Sequence, residues 1–133
     1  MIDEQLLSEQ IEDMLVERNL RGMKDLQPQL TPGYCLRAAR ALHNIQGTVL
    51  IGTGFPVVNT FETDGPVGAL ILYRALALLG ATPVLVCGTP MATAFENDYR
   101  ICVISIGKKD LGLAEARRAL AYYQPQAIIS IER

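Results

Sequence analysis

The stretch FETDGPVGA, residues 61–69, sets two carboxylates, Glu62 and Asp64, beside Gly65 and Gly68, with Pro66 between the glycines. Helix chemistry does not require a carboxylate two residues ahead of a cap, so Glu62 is either a solvated loop acid or a group with work to do. Two acids on a concave surface divide acid and base roles when their surroundings push their proton affinities apart. Asp64 also has a plainer reading, as N-cap of a helix starting near Gly65, with Pro66 in its first turn and Gly68 allowing a close backbone approach. The free amides and dipole of such a terminus attract a carboxylate or a phosphate.

A second glycine cluster, Gly52-Thr53-Gly54, closes the run TVLIGTG. On spacing alone it reads first as a tight turn at a strand end. It is only G-x-G, without the third glycine of a dinucleotide fingerprint, and no G-x-x-x-x-G-K-[ST] occurs, so nucleotide binding is poorly supported. Cys35, Cys87 and Cys102 have no C-x-x-C spacing, and His43 is the sole histidine. Neither a disulfide framework nor a histidine–cysteine zinc site is readable, and no metal or other cofactor is assigned. Cys87 at a strand end lacks a histidine partner and reads as core, while His43 near a helix end reads as structural or solvated. Glu96 and Asp98 are acids that could join Glu62 around magnesium, although no ligand spacing marks them. Lys108 and Lys109 offer an anion contact or a solvated face, with Asp110 as a cap. Arg117 and Arg118 read as exposed and Tyr122 and Tyr123 as packing residues.

The elements that must position these groups follow from periodicity. Leu6, Leu7, Ile11, Met14 and Leu15 recur at helical spacing between a capping Asp3 and a terminating Gly22. A second helix is expected from Thr31 and Pro32 to Gly47. From Thr48 onward, TVLIGTG, ATPVLVCG, YRICVISIG and PQAIISIE read as short buried strands. Helical segments alternate with them: GPVGALILYRALALLG, a shorter one in TPMATAFEND, and KKDLGLAEARRALAYY. Such alternation implies right-handed crossovers and a three-layer, Rossmann-like α/β fold with a mostly parallel sheet. The expected organisation is one domain over residues 1–133, with 1–47 a helical lead-in packed on it. Ligands in such sheets gather beyond the carboxyl ends of the strands. Here those ends are Gly52–Gly54, Cys87–Thr89, Gly107–Lys109 and Glu132–Arg133. The connection from Phe55 to Asp64 is longer than usual for a strand-to-helix loop, which suggests binding.

The 133 residues are half hydrophobic, enough for one packed core. Net charge is −2, with seven acids against three bases in residues 1–25 and a slightly basic remainder. No basic footprint for nucleic acid exists, and the remainder favours a small anion weakly. The longest apolar run is interrupted by Arg74, Gly80 and Pro83, the N-terminus is acidic and amphipathic, and the cysteines form no framework. A soluble, cytoplasmic protein is therefore expected, away from membranes.

VLIGTGFPV, followed by ETDGPVGALILYRALALLGATPVLV and AIISIER, resembles the D-glutamate cyclase-like family, from about Leu30 to Arg133. Relatives continue past the I-E-R segment into a further block. The resemblance therefore implies that this chain covers the family's N-terminal portion, as a fragment, as half of a split protein that a second chain completes, or as a shortened relative. It also implies a hydro-lyase that converts D-glutamate to 5-oxo-D-proline once that block is supplied, with a small acidic amino acid as ligand. Such a ring closure needs a base to free the amine, donors for a tetrahedral oxyanion and an acid for the departing oxygen. Glu62 and Asp64 are the candidates for proton transfer. Gly52, Thr53, Gly54, Thr63, Gly65 and Gly68 are candidates for holding a carboxylate or oxyanion, and Arg133 for clamping the α-carboxylate. Two other readings stay open: a catalytically inactive small-anion or carboxylate-binding or assembly module lacking the family's C-terminal half, and a phosphate- or nucleotide-binding enzyme of unrelated chemistry; a homo-oligomer is compatible with any of the three.

Overall fold

The computed structural model describes residues 2–58, 60–107 and 109–132, and only the backbone of Lys109 and Asp110. The chain divides into two compact units, residues 1–44 and 45–133.

The first unit is helical: α1 (Glu4–Val16), α2 (Met23–Leu26), a 3₁₀ turn (Gln27–Gln29) and α3 (Tyr34–His43). Asp3 caps α1 as the sequence predicts, its carboxylate accepting from the amides of Gln5 at 3.0 Å and Leu6 at 3.1 Å. The helix stops at Val16 rather than running to Gly22, and Gly22 instead precedes α2 in a left-handed conformation. The α3 cap also differs from expectation. It is Gly33, not Thr31, and its free amides are satisfied from α1. Glu12 accepts from the N–H of Gly33 at 2.9 Å and of Cys35 at 2.8 Å, and Ser8 Oγ accepts from Leu36 N–H at 2.9 Å. The side of α1 that is buried is therefore Ser8, Glu12 and Val16, while Leu6, Leu7, Ile11, Met14 and Leu15 are exposed. An orphaned helix terminus needs acceptors more than another apolar contact, and that need decides which side of α1 turns inward.

The second unit is a four-stranded parallel sheet in the order β5-β4-β1-β6, formed by β1 (Thr48–Gly52), β4 (Thr82–Cys87), β5 (Ile101–Val103) and β6 (Ala127–Ser130). A two-stranded antiparallel ribbon, β2 (Pro56–Val57) and β3 (Thr60–Phe61), follows β1. The helices are α4 (Asp64–Leu78), α5 (Thr89–Phe95) and α6 (Lys109–Tyr123). The central strands are the β-branched apolar runs, and Val49, Ile51, Val84, Leu85 and Cys87 are buried. Right-handed crossovers put α4 and α5 on one face and α6, which returns in the opposite direction, on the other. The cavities agree: Tyr73 and Ala77 of α4 face Ala81 and Pro83, whereas Tyr122 and Tyr123 of α6 face Thr48 and Val84. The expected three-layer α/β architecture is thus the observed one. Among the described residues no helix is long and apolar enough to cross a membrane.

Candidate functional site

The chain steps from β1 to β4 to β5 in one direction, then returns to place β6 on the other side of β1. The switch in strand order lies between β1 and β6, and beyond a switch the connecting segments diverge and leave a crevice at the carboxyl ends. Here those ends are joined by Ile131 N–H donating to Gly52 C=O at 2.8 Å.

The connection after Gly52 is built from its small residues outward. Thr53 is fully buried, and its N–H donates to Val86 C=O at 3.2 Å. Gly54 has φ +86°, a region that disfavours a side chain, and a Cβ there would also meet Met91 Sδ at 2.8 Å. The extra residues of the long connection are not an open loop. They fold into the β2–β3 ribbon, closed at its base by Glu62 N–H donating to Phe55 C=O at 3.0 Å and held against α5 by the Phe61 and Phe95 rings, 6.4 Å apart. That ribbon delivers Glu62 back to the start of α4.

Asp64 is not the cap of α4. The helix begins at Asp64, Thr63 is the capping residue, and no side-chain hydrogen bond caps this end. The Asp64 carboxylate is consequently not committed to a helix amide. It converges with two others: oxygens of Glu62, Asp64 and Glu132 all lie within 4.8 Å of one another. All three residues are exposed, so the cluster is an open face rather than an enclosed pocket. Glu132, which follows β6, has φ +51°, uncommon for a residue with a side chain.

Close approach occurs at Gly65, which is buried. A Cβ there would collide with Glu132 Cβ and would come within 3.0 Å of Glu132 Cγ and 3.3 Å of Thr53 Oγ1. Gly68, read from sequence as the position of close approach, is exposed, and a Cβ there would meet only Ile131 Cγ2 at an ordinary 3.9 Å. Of the sequence candidates, the fold brings together Glu62, Thr63, Asp64, Gly65, Gly52 and Thr53. Gly54 lies in the same connection but turns toward Met91, and Gly68 lies one turn along α4. Arg133, Lys108 and the side chain of Asp110 lie outside the described residues.

From sequence, Glu132 reads only as a strand end. The available signal was its place after the last strand, and what sequence could not supply was the strand order that puts β6 next to β1. The acidic cluster found among the described residues contains Glu62 but neither Glu96 nor Asp98. Asp98 lines a groove beside Tyr73 and Arg74 instead. Three carboxylates so placed are hard oxygen ligands that could give a Mg²⁺ or Ca²⁺ ion about half of its usual six or more contacts, and they are equally suited to an ammonium group.

The remaining candidates fall elsewhere. Cys87 is fully buried. Burial and the Glu115 charge push the Cys102 thiol above its ordinary range, away from a reactive thiolate. His43 Nδ1 lies 3.1 Å from Asn44 Oδ1 at the exposed end of α3. Arg117 and Arg118 are exposed as expected, and Tyr123 is half-buried, but Tyr122 is 81% exposed, its ring meeting that of Tyr123 edge-to-face at 4.8 Å. Glu115 accepts from Ser105 N–H at 2.7 Å and Ser105 Oγ at 2.8 Å, tying α6 to the segment that follows β5.

A family model described as D-glutamate cyclase-like, C-terminal, matches residues 11–133. The chain belongs to the D-glutamate cyclase-like family. The match corrects the expected coverage in two ways. It is to the family's C-terminal region and not to an N-terminal portion, and it begins at residue 11, within α1, rather than near Leu30. The acidic cluster and both glycine turns of this cyclase-like chain fall inside the matched range. No curated protein and no solved structure gives a significant match.

Proposed function

We propose that the chain carries the proton-transfer site of a lyase that closes D-glutamate to 5-oxo-D-proline with loss of water. The observation that carries this reading is the convergence of Glu62, Asp64 and Glu132 at the β1–β6 switch, in a chain of the D-glutamate cyclase-like family. Three adjacent carboxylates repel one another and call for a cation, and the α-ammonium of an amino acid supplies one.

In this reading Glu62 or Asp64 takes a proton from the α-ammonium, and the freed amine attacks the γ-carboxyl carbon. The C–N bond forms, and a tetrahedral oxyanion develops toward the amides of Thr63 to Gly65 at the uncapped start of α4. The attack leaves a second surplus proton on nitrogen, which the other carboxylate takes; the two protonated carboxyls then give both protons to the departing γ-oxygen, the C–O bond breaks, water leaves and the lactam carbonyl re-forms. Gly65 allows the helix start and Glu132 to share this space. Arg133 stands as a proposed clamp for the α-carboxylate.

A pure anion-binding module is less well supported, because an anion without an amine meets only repulsion from the three carboxylates. Incubation of the purified chain with D- and L-glutamate, with 5-oxoproline resolved by chiral chromatography, tests the proposal. Product from the D-enantiomer is expected. Its absence from both enantiomers overturns the reading. Because the substrate brings its own cation, product formation is expected to persist in a chelator; abolition by chelation would assign the carboxylates to a divalent ion instead.

A further inference from the structure

The helix α4 is apolar on nearly every side, a composition found where a helix is covered all round. Its inner side lies on β1 and β4, where Ala69 and Leu76 are buried. Its outer side is uncovered. Val67, Ile71 and Leu78 are 58%, 65% and 89% exposed, and with Arg74 they follow one another four, three and four residues apart, which aligns them in a single stripe.

At its Leu78 end the stripe borders a groove of about 710 Å³ lined by Tyr73, Arg74, Ala77, Leu78, Asp98 and Tyr99. The groove walls are braced. The Tyr73 and Tyr99 rings meet edge-to-face at 5.1 Å, and Arg74 Nη2 donates to Tyr99 Oη at 2.7 Å. Tyrosine and arginine are among the residue types enriched at the energetic centres of protein interfaces.

We propose that this face joins two copies of the chain in a symmetric homodimer, α4 against α4. Three features select a second copy over a different partner. First, the patch holds one cation, Arg74, and one anion, Asp98, and no salt bridge joins them among the described residues. A two-fold contact lets Arg74 of each copy meet Asp98 of the partner subunit, whereas a partner surface of one sign would oppose one of these charges. Second, the protruding Leu78 and the groove that could receive it lie on the same patch, as a contact between identical surfaces requires. Third, Val67, Ile71 and Leu78 are each more than half exposed and run along about three turns of one helix, so a two-fold contact covers the same apolar row on both copies at once.

The inference concerns the outer side of α4 and is independent of the reaction proposed at its start. Sedimentation velocity on the full chain tests it. A dimer is expected at micromolar concentration, with Ile71→Glu and Leu78→Glu each giving a monomer of unchanged circular dichroism. Arg74→Glu and Asp98→Arg are each expected to weaken association about tenfold or more, and the double reversal to restore it to within about threefold. A wild-type monomer at 100 μM, a dimer untouched by Ile71→Glu and Leu78→Glu, or no rescue by the double reversal overturns the proposal.

Discussion

Replacing Gly65 with alanine sets two effects against each other, and the structure says which prevails. A methyl group in a helix gains at most about 1 kcal/mol over glycine, and less in the first turn. At Gly65 that methyl would collide with Glu132 Cβ and crowd Thr53 Oγ1 at 3.3 Å. Neither neighbour yields easily: Thr53 is fully buried and tied to Val86, and Glu132 follows a residue bonded to Gly52 while already holding φ +51°. Overpacking of this kind costs about 1–3 kcal/mol. Gly65→Ala is therefore expected to be destabilising by about 1–2 kcal/mol, a fall in Tm of roughly 4–16 °C for a unit of this size. Gly68→Ala meets only an ordinary contact at 3.9 Å and is expected to stabilise by up to about 1 kcal/mol. Urea unfolding followed by circular dichroism gives both values, and cyclisation of D-glutamate should fall further in Gly65→Ala than the unfolded fraction explains, because Glu132 is displaced from Glu62 and Asp64. Adding Glu132→Gly to Gly65→Ala removes the colliding atom and should return the stability. A Gly65→Ala chain as stable as the parent, or a Gly68→Ala chain destabilised to the same degree, refutes the reasoning.

Glu62→Gln and Asp64→Asn are each expected to lower cyclase turnover about 10²–10⁴-fold if that residue moves the proton, and a loss of only a few-fold in both would remove the pair from the mechanism. Burial pushes the Glu12 carboxyl up, but hydrogen bonds from Ser8, Cys35 and Gly33 and the Arg37 charge outweigh it and hold the group below its ordinary 4.5. A lowered native pKa stabilises the fold above the unfolded value and loses that stabilisation as pH falls below about 4.5 through the native one. Helicity of the first unit should accordingly drop with acid in the parent chain, whereas Glu12→Gln should be weakened at neutral pH and respond less to acid; an unchanged acid response in Glu12→Gln would sink that account. In α6 a Cβ on Gly112 would meet nothing within 4 Å, so Gly112→Ala is expected to raise stability by about 0.5–1 kcal/mol in the same urea assay.

Much of the second unit was legible because its signals are local. Short β-branched runs alternating with helical ones mark strands within TVLIGTG, ATPVLVCG and PQAIISIE and helices within GPVGALILYRALALLG and KKDLGLAEARRALAYY, and the structure forms strands at Thr48–Gly52, Thr82–Cys87 and Ala127–Ser130 and helices at Asp64–Leu78 and Lys109–Tyr123. The ribbon at residues 56–61 was not legible, since two-residue strands carry no period and are defined only by their pairing. In the first unit, periodicity correctly gave a helix but pointed to the leucines, and the structure buries Ser8 and Glu12. Periodicity states which residues share a side; the neighbouring element decides which side is covered, and here the bare amides of α3 decide it.

The sequence by itself determined the alternation of the four sheet strands with the helices between them, the glycines after β1 and the presence of two acids at the start of α4, because each depends on residues within a few positions of one another. Only the tertiary structure decided that Glu132 completes their cluster, that Thr63 rather than Asp64 caps α4, and that Gly65 rather than Gly68 is the place of closest approach. These depend on β6 pairing with β1 across some eighty residues of chain, a contact fixed by crossover handedness and sheet order that no local pattern of residue types encodes.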